Sequence, residues 1–293
     1  MIKTNKTINV AGKLSDDLTL GAVYLSVADL QRSIAFYQQS LGLQVHRKTD
    51  QQVHLGAGSA DLIILTEKPN GVQVSNVTGL YHFALLVPSR FALAQVLKNL
   101  VETETPLQGM SDHWVSEAIY LADPDGHGIE VYRDRPRDEW DYDDNNTLKI
   151  GTTQLDLEGV WAALEQETSP WKNLPLETVM GHMHLHVRQL DEAVTFYEQV
   201  LGLDLVTTYG SQAAFLSSGG YHHHLGLNTW AGVGAPPPPD NAVGLQQFVI
   251  QIPASDIESL TARLDQAEVK YDRRDDGLFT QDPSGNGVLI RVI

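Results

Sequence analysis

The sequence predicts an α+β chain built from four strand–helix–strand modules, and three observations carry that reading. Residues 21–45, GAVYLSVADLQRSIAFYQQSLGLQV, recur 160 positions later as residues 181–205, GHMHLHVRQLDEAVTFYEQVLGLDL. A weaker pair, GLYHFALLV at 79–87 and GLQQFVIQI at 244–252, opens two further segments. Those segments close in DPDGHGIEVY at 123–132 and DPSGNGVLIR at 282–291. Self-similarity of this kind marks one supersecondary unit used repeatedly. The four units span 20–67, 79–134, 180–230 and 244–293.

The elements follow in order. Unit one opens with a short alternating strand and a polar turn. A helix follows, in which Leu30, Ile34, Tyr37 and Leu41 recur at helical spacing. Gly42 ends it as a helix C-terminal glycine. Unit two reads as a strand from residue 79, a helix near 89–101, a strand at 117–122, the DPDG turn and a last strand. The connection 135–179 begins acidic, DEWDYDDNN, and holds a helix at 155–167 closed by Pro170. Unit three repeats unit one, with Leu190, Val194, Tyr197 and Leu201 on one helix face and Gly202 after it. The segment GVGAPPPPDNAVG is a stiff surface connector. Unit four carries a helix near 255–267 before its DPSG turn.

Composition bounds the function. A chain of 293 residues that is 42% hydrophobic and 19% charged sustains a packed core, which excludes global disorder. Lys and Arg total 20 against 37 Asp and Glu, a net charge of −17 that argues against nucleic acid or an anionic membrane as partner. The absence of cysteine excludes disulfide scaffolds, thiolate metal sites, iron–sulfur clusters and a cysteine nucleophile, and fits a cytoplasmic enzyme. The first residues, MIKTNKTINVAGKLSDD, show no apolar secretion signal, and no apolar run approaches a membrane span. Eleven histidines stand out. They include His182, His184 and His186, then His222, His223 and His224. Any transition-metal site in this chain draws on His, Asp, Glu and Tyr.

The four units and their fixed endings resemble the vicinal oxygen chelate superfamily, which includes glyoxalase I, fosfomycin and bleomycin resistance proteins and type I extradiol catechol dioxygenases. The resemblance covers residues 20–134 and 180–293. Four modules in one chain is the dioxygenase arrangement, and the sequence is similar to bacillus-type catechol 2,3-dioxygenases. The resemblance implies βαβββ modules pairing into two open, barrel-like sheets, one cupping a divalent metal. Fe(II) is the first expectation, with Mn(II) or another divalent ion as alternatives.

In the family, ligands come from two strand rows. The first-strand row corresponds here to Ala22, His82, His182 and Gln247. The last-strand row offers Glu130 in unit two and Leu289 in unit four. Units three and four together, or one and two, leave an incomplete set. Only units two and three supply His82, His182 and Glu130, the two-imidazole, one-carboxylate triad that leaves open positions on a non-haem metal. The expected pairing is therefore two with three around the metal and one with four in a metal-free cup, with 135–179 as the connection. His184 and His186 share the strand face of His182, and His184 or His224 remains open as an additional ligand.

The resemblance also implies second-sphere groups. The family's Arg-His-His-Ser/Thr stretch aligns with Tyr221-His222-His223-His224, which puts His223 on the acid–base position, although Tyr replaces Arg before the pair. Tyr120, ten residues before Glu130, takes the place of a phenol that donates a hydrogen bond to substrate. His113 sits near the place of a further upstream histidine. The expected function is an Fe(II)- and O₂-dependent extradiol cleavage of a catechol or hydroquinone-type ring. A glyoxalase-like lyase or isomerase and a small-molecule sequestering protein are the alternatives. The absence of Asp and Glu from 221–228 counts against the lyase. A small aromatic substrate and O₂ are the expected partners, and the sequence leaves homo-oligomerisation open.

Overall fold

The pattern of alternating strands and short amphipathic helices produces two mixed sheets in the computed structural model, which describes residues 12–166 and 170–293. The first module comprises β1 (Thr19–Val27), α1 (Leu30–Gln39), β2 (Gln44–Lys48), β3 (Gln52–Gly56) and β4 (Asp61–Glu67). The second comprises β5 (Gly79–Leu86), α2 (Arg90–Glu102), β6 (Leu107–Asp112), β7 (Ser116–Ala122) and β8 (Gly128–Asp134). The connection carries a two-residue strand, β9 (Thr153–Gln154), and α3 (Leu157–Gln166). The third module comprises β10 (Val179–His186), α4 (Leu190–Thr195), β11 (Asp204–Tyr209), β12 (Ala213–Ser217) and β13 (Leu225–Asn228). The fourth comprises β14 (Gly244–Ile252), α5 (Ile257–Gln266), β15 (Tyr271–Arg274), β16 (Gly277–Gln281) and β17 (Gly287–Val292).

One sheet runs β15-β16-β17-β14-β1-β4-β3-β2 and the other β11-β12-β13-β10-β5-β8-β7-β6-β9. The first therefore joins modules one and four, and the second joins modules two and three. Within each module the first and last strands are parallel neighbours, while antiparallel seams β1–β14 and β10–β5 join the modules. Neither sheet closes on itself. One continuous apolar core, from Leu25 and Tyr37 to Phe83, Phe196 and Phe248, runs through both halves.

Polar contacts fasten module one to module two and module three to module four, pairs whose members lie in different sheets. The Tyr37 hydroxyl of α1 donates to Asp123 Oδ2 in the DPDG turn at 2.9 Å, and Tyr197 makes the equivalent contact with Asp282 in the DPSG turn at 3.1 Å. Each turn aspartate also gathers backbone N–H groups of its own turn. Asn99 Nδ2 donates to the carbonyls of Gln39 and Ser40 at the end of α1. Arg263, 1% exposed, donates to those of Val200 and Leu201 at the end of the third-module helix. These donors satisfy carbonyls that a helix end leaves without intrahelical partners.

Local sequence explains the helix boundaries. Asp29 and Ser89 cap α1 and α2 with side-chain oxygens that accept from Arg32 N and Ala92 N. Gly42 and Gly202 adopt φ of 68° and 96°, as a C-terminal glycine requires. The third-module helix differs from its repeat: after Thr195 it widens into a π-helical turn, Phe196–Leu201. The connecting helix begins at Leu157, two residues later than the spacing predicts, and its expected end lies outside the described residues. β9 was not signalled by the sequence, because two residues carry no periodicity. No helix among the described residues is long and apolar enough to cross a membrane.

Candidate metal centre

Strand register brings three ligand-type side chains to one spot. In the second sheet, Ala84 of β5 lies between Glu130 of β8 and His182 of β10, each its register partner. His82, two residues before Ala84, projects from the same face. Small Ala84 leaves room for the longer side chains on either side of it. Glycine permits the close approaches nearby. A Cβ on Gly128, opposite His82, would lie 2.1 Å from the Tyr81 carbonyl oxygen, and one on Gly181 would lie 1.9 Å from the Tyr132 hydroxyl.

His82 Nε2 and His182 Nε2 are 3.3 Å apart, and Glu130 Oε2 lies 3.1 and 3.2 Å from them. All three residues are buried. Among the described residues they are the group of His and carboxylate side chains placed to hold a metal ion. Ligands at about 2.1 Å from one ion sit roughly 3.0 Å apart at right angles and roughly 3.4 Å apart in a tetrahedron. The observed separations fall in that interval, so the donor set fits a single divalent cation. Burial pushes the His82 imidazole below its ordinary pKa, which keeps it a neutral ligand. Burial alone would raise Glu130, but hydrogen bonds from His182 and His82, and the positive charge those rings carry when protonated, outweigh it and hold the carboxyl well below its usual range.

The triad opens into a cavity of about 570 Å³, whose wall includes Tyr120, His113 and His223. His113 lies in the tight turn between β6 and β7. Its Nδ1 is 2.8 Å from the Gly151 carbonyl, which can only accept, so Nδ1 carries the proton. Nε2 of the neutral ring then accepts from the Tyr120 hydroxyl at 2.7 Å. In this arrangement the Tyr120 proton is directed to His113 and its oxygen keeps a lone pair. Burial and the charge of Glu130 raise the phenol's pKa well above its ordinary value.

A second chain of hydrogen bonds ends at His223. Asp134 Oδ1 accepts from His222 Nε2 at 2.9 Å, leaving His222 Nδ1 as an acceptor. His223 Nδ1, 2.8 Å away, donates to it. The His223 lone pair is therefore on Nε2. Burial, with the nearby His182 and His222, pushes the His223 imidazole well below its ordinary pKa. Asp134 also accepts from Tyr221 at 3.3 Å, and Tyr221 meets the Tyr132 hydroxyl at 2.7 Å. Residues 221–224 are an irregular lead into β13 and not part of a strand, because Gly219 and Gly220, both at φ 62°, turn the chain there. His222, His223 and His224 consequently do not alternate faces strictly.

His184 lines the metal-side cavity, with a buried Nε2 that lacks a protein partner. His224 lines a different cavity of about 620 Å³ beside the first sheet, its Nδ1 within 3.3 Å of the Ser218 N–H. Burial drops the His224 pKa to about 3. Asp134, Trp230, Phe215 and the segment Ile150–Thr152 also contribute to the site or its support, and sequence reasoning missed them. Asp134 closes the recognisable last strand of module two, whereas Ile150–Thr152 lies in the non-repeating connection and carries no signal.

The profile of the Glyoxalase/Bleomycin resistance protein/Dioxygenase superfamily matches residues 19–131 and 179–290. The chain belongs to this superfamily. A protein of Bacillus subtilis (strain 168) named catechol-2,3-dioxygenase is 43% identical over 287 residues, covering 96% of this chain and 99% of the relative. The crystal structure of a putative dioxygenase from Bacillus subtilis subsp. subtilis str. 168 superposes with a TM-score of 0.62 at 15% identity, over 96% of this chain and 86% of that one. Glyoxalase I from Zea mays gives 0.58 at 16% identity, over 94% of this chain and 92% of that one. At those identities the two structures share the fold, and the superfamily member's chemistry rests on its own site.

Proposed function

We propose that this superfamily member is an extradiol ring-cleaving dioxygenase that uses a divalent ion, Fe(II) first, and O₂ to open a catechol or hydroquinone-type ring. The observation that carries the reading is the convergence of His82, His182 and Glu130 at the floor of a cavity sized for a small molecule. The 43% identical relative named catechol-2,3-dioxygenase supports the same reaction class. When bound, the ion supplies Lewis acidity and open positions where two vicinal oxygens and O₂ meet. Both atoms of O₂ enter the product as one ring carbon–carbon bond breaks.

The remaining work falls to protein groups. Two catechol protons must leave, and one must return as the ring opens. Tyr120 accepts a substrate hydroxyl proton on its oxygen as it passes its own to His113 Nε2. His223 Nε2, held unprotonated by the hydrogen bonds through His222 to Asp134, takes and returns the second proton. A glyoxalase-like reaction would call for a second carboxylate at the ion, and Glu130 is the one carboxylate among the described residues lining this cavity. The proposal retains the cytoplasmic setting expected from composition. Anaerobic loading with Fe(II), addition of catechols and exposure to air tests it: a yellow ring-fission product is expected. A metal-loaded protein that leaves every catechol intact refutes it.

A further inference from the structure

We infer that the substrate is an uncharged catechol carrying an apolar, ring-sized substituent, an inference that rests on the dioxygenase reading. The first ground is charge. Apart from Glu130, the cavity wall holds neutral polar groups, imidazoles, aromatics and a few aliphatic side chains. Neither Lys nor Arg lines it among the described residues. The chain does place cations in a cavity elsewhere: Arg47, Arg137 and Arg291 line the one beside the first sheet. With the divalent ion committed to the triad and the two catechol oxygens, a carboxylate elsewhere on the substrate would lose its hydration with no Lys or Arg on the wall to replace it, an unfavourable exchange. The overall charge of −17 opposes the approach of an anion as well. A glutathione adduct, with two carboxylates, is disfavoured by the same argument.

The second ground is size and the chemistry of the outer wall. A cavity of about 570 Å³ lies in the range that encloses drug-sized ligands, and a bare dihydroxybenzene fills only a fraction of it. Beyond the triad the wall becomes aromatic. His184 lies 5.0 Å from His82 and 5.3 Å from Trp230, centroid to centroid, and Phe215 is 5.8 Å from His184. Tyr81 meets Trp230 edge-on at 5.2 Å. Trp230 is 42% exposed and Tyr209 70% exposed, so the cavity mouth presents large apolar surface to water. A catechol with both oxygens at the triad directs a ring substituent against these aromatics, which prefer tilted or edge contacts with another ring.

The test measures binding first and turnover second. The protein is loaded with redox-inert Zn(II), and tryptophan fluorescence is titrated with catechol, 4-phenylcatechol and 3,4-dihydroxybenzoate. The phenyl compound should bind about tenfold more tightly than catechol, and the benzoate on the order of 10²-fold more weakly than the phenyl compound. Steady-state kcat/KM with Fe(II) should follow the same order. Trp230→Ala should erase most of the phenyl preference. Thr208→Arg, at an exposed position on the wall, should improve binding of the benzoate. Benzoate binding as tight as catechol, or phenylcatechol binding no tighter than catechol, overturns the inference while leaving the dioxygenase reading intact. Failure of all three to bind or react with metal in place overturns both.

Discussion

Replacing Asp134 with Asn keeps an acceptor for His222 and removes only the charge at the end of the chain leading to His223. The two hydrogen bonds, 2.9 and 2.8 Å, in series with one imidazole put the carboxylate about 8 Å from the His223 ring. A unit charge at that distance stabilises an imidazolium by about 2 kcal/mol at an effective dielectric near 20. If His223 is positively charged when it holds the substrate proton, Asp134→Asn should lower kcat about 30-fold. KM and metal content should change little, because Asp134 reaches neither the substrate nor the triad. The assay is ring-fission turnover at saturating Fe(II), beside metal analysis and a thermal melt. His223→Phe serves as the limit, with an expected loss of about 10²–10⁴-fold. Wild-type kcat in Asp134→Asn alongside an inactive His223→Phe would refute the charge coupling. Equal activity in His223→Phe and wild type would refute the acid–base role itself.

Other expectations follow from the same geometry. Tyr120→Phe and His113→Phe should each lower kcat about tenfold, and the double variant should be no worse than either, because the two form one relay; additive losses in steady-state rates would break the pair. Gly181→Ala puts a methyl 1.9 Å from the buried Tyr132 hydroxyl, and should lower stability by about 1–3 kcal/mol in denaturant melts with a matching fall in metal affinity; an unchanged melt would show that Tyr132 can move freely. Burial pushes the Asp123 carboxyl up, but the hydrogen bond and charge of His127, with Tyr37, outweigh this and leave it below its ordinary value. That stability is present above the unfolded pKa of about 3.9 and is lost as pH falls through the lower folded value. Asp123→Asn should therefore flatten the acid limb of an unfolding curve followed by circular dichroism, and parallel limbs would contradict it.

Much of the architecture was legible because the repeat exposes it. Phe-Tyr followed by Leu-Gly-Leu marks the helix and its glycine end twice, and the DPDG and DPSG turns fix where last strands begin. The positions of His82, His182 and Glu130 were legible through the family resemblance, which names the two strand rows that carry ligands, and counting from a turn or strand end then places a residue on each row. Hydrogen-bond direction was not legible. That Tyr120 gives its proton to His113 depends on a carbonyl at Gly151, 38 residues from His113 and in a segment without periodicity. The path of the lead 221–224 was not legible either, because two consecutive glycines with positive φ, Gly219 and Gly220, set it. The aromatic outer wall gathers Tyr81, Phe215 and Trp230 from separate elements, which no local pattern announces.

Metal stoichiometry measured on wild type and on Glu130→Ala tests the central claim most directly. Each protein is stripped, reloaded anaerobically with one divalent ion, desalted and analysed by mass spectrometry for metal per chain. The triad geometry predicts one ion per wild-type chain and a large loss in Glu130→Ala, with His223→Phe retaining its ion. Full metal retention by Glu130→Ala, or metal loss in His223→Phe equal to that in Glu130→Ala, would contradict a site built from His82, His182 and Glu130.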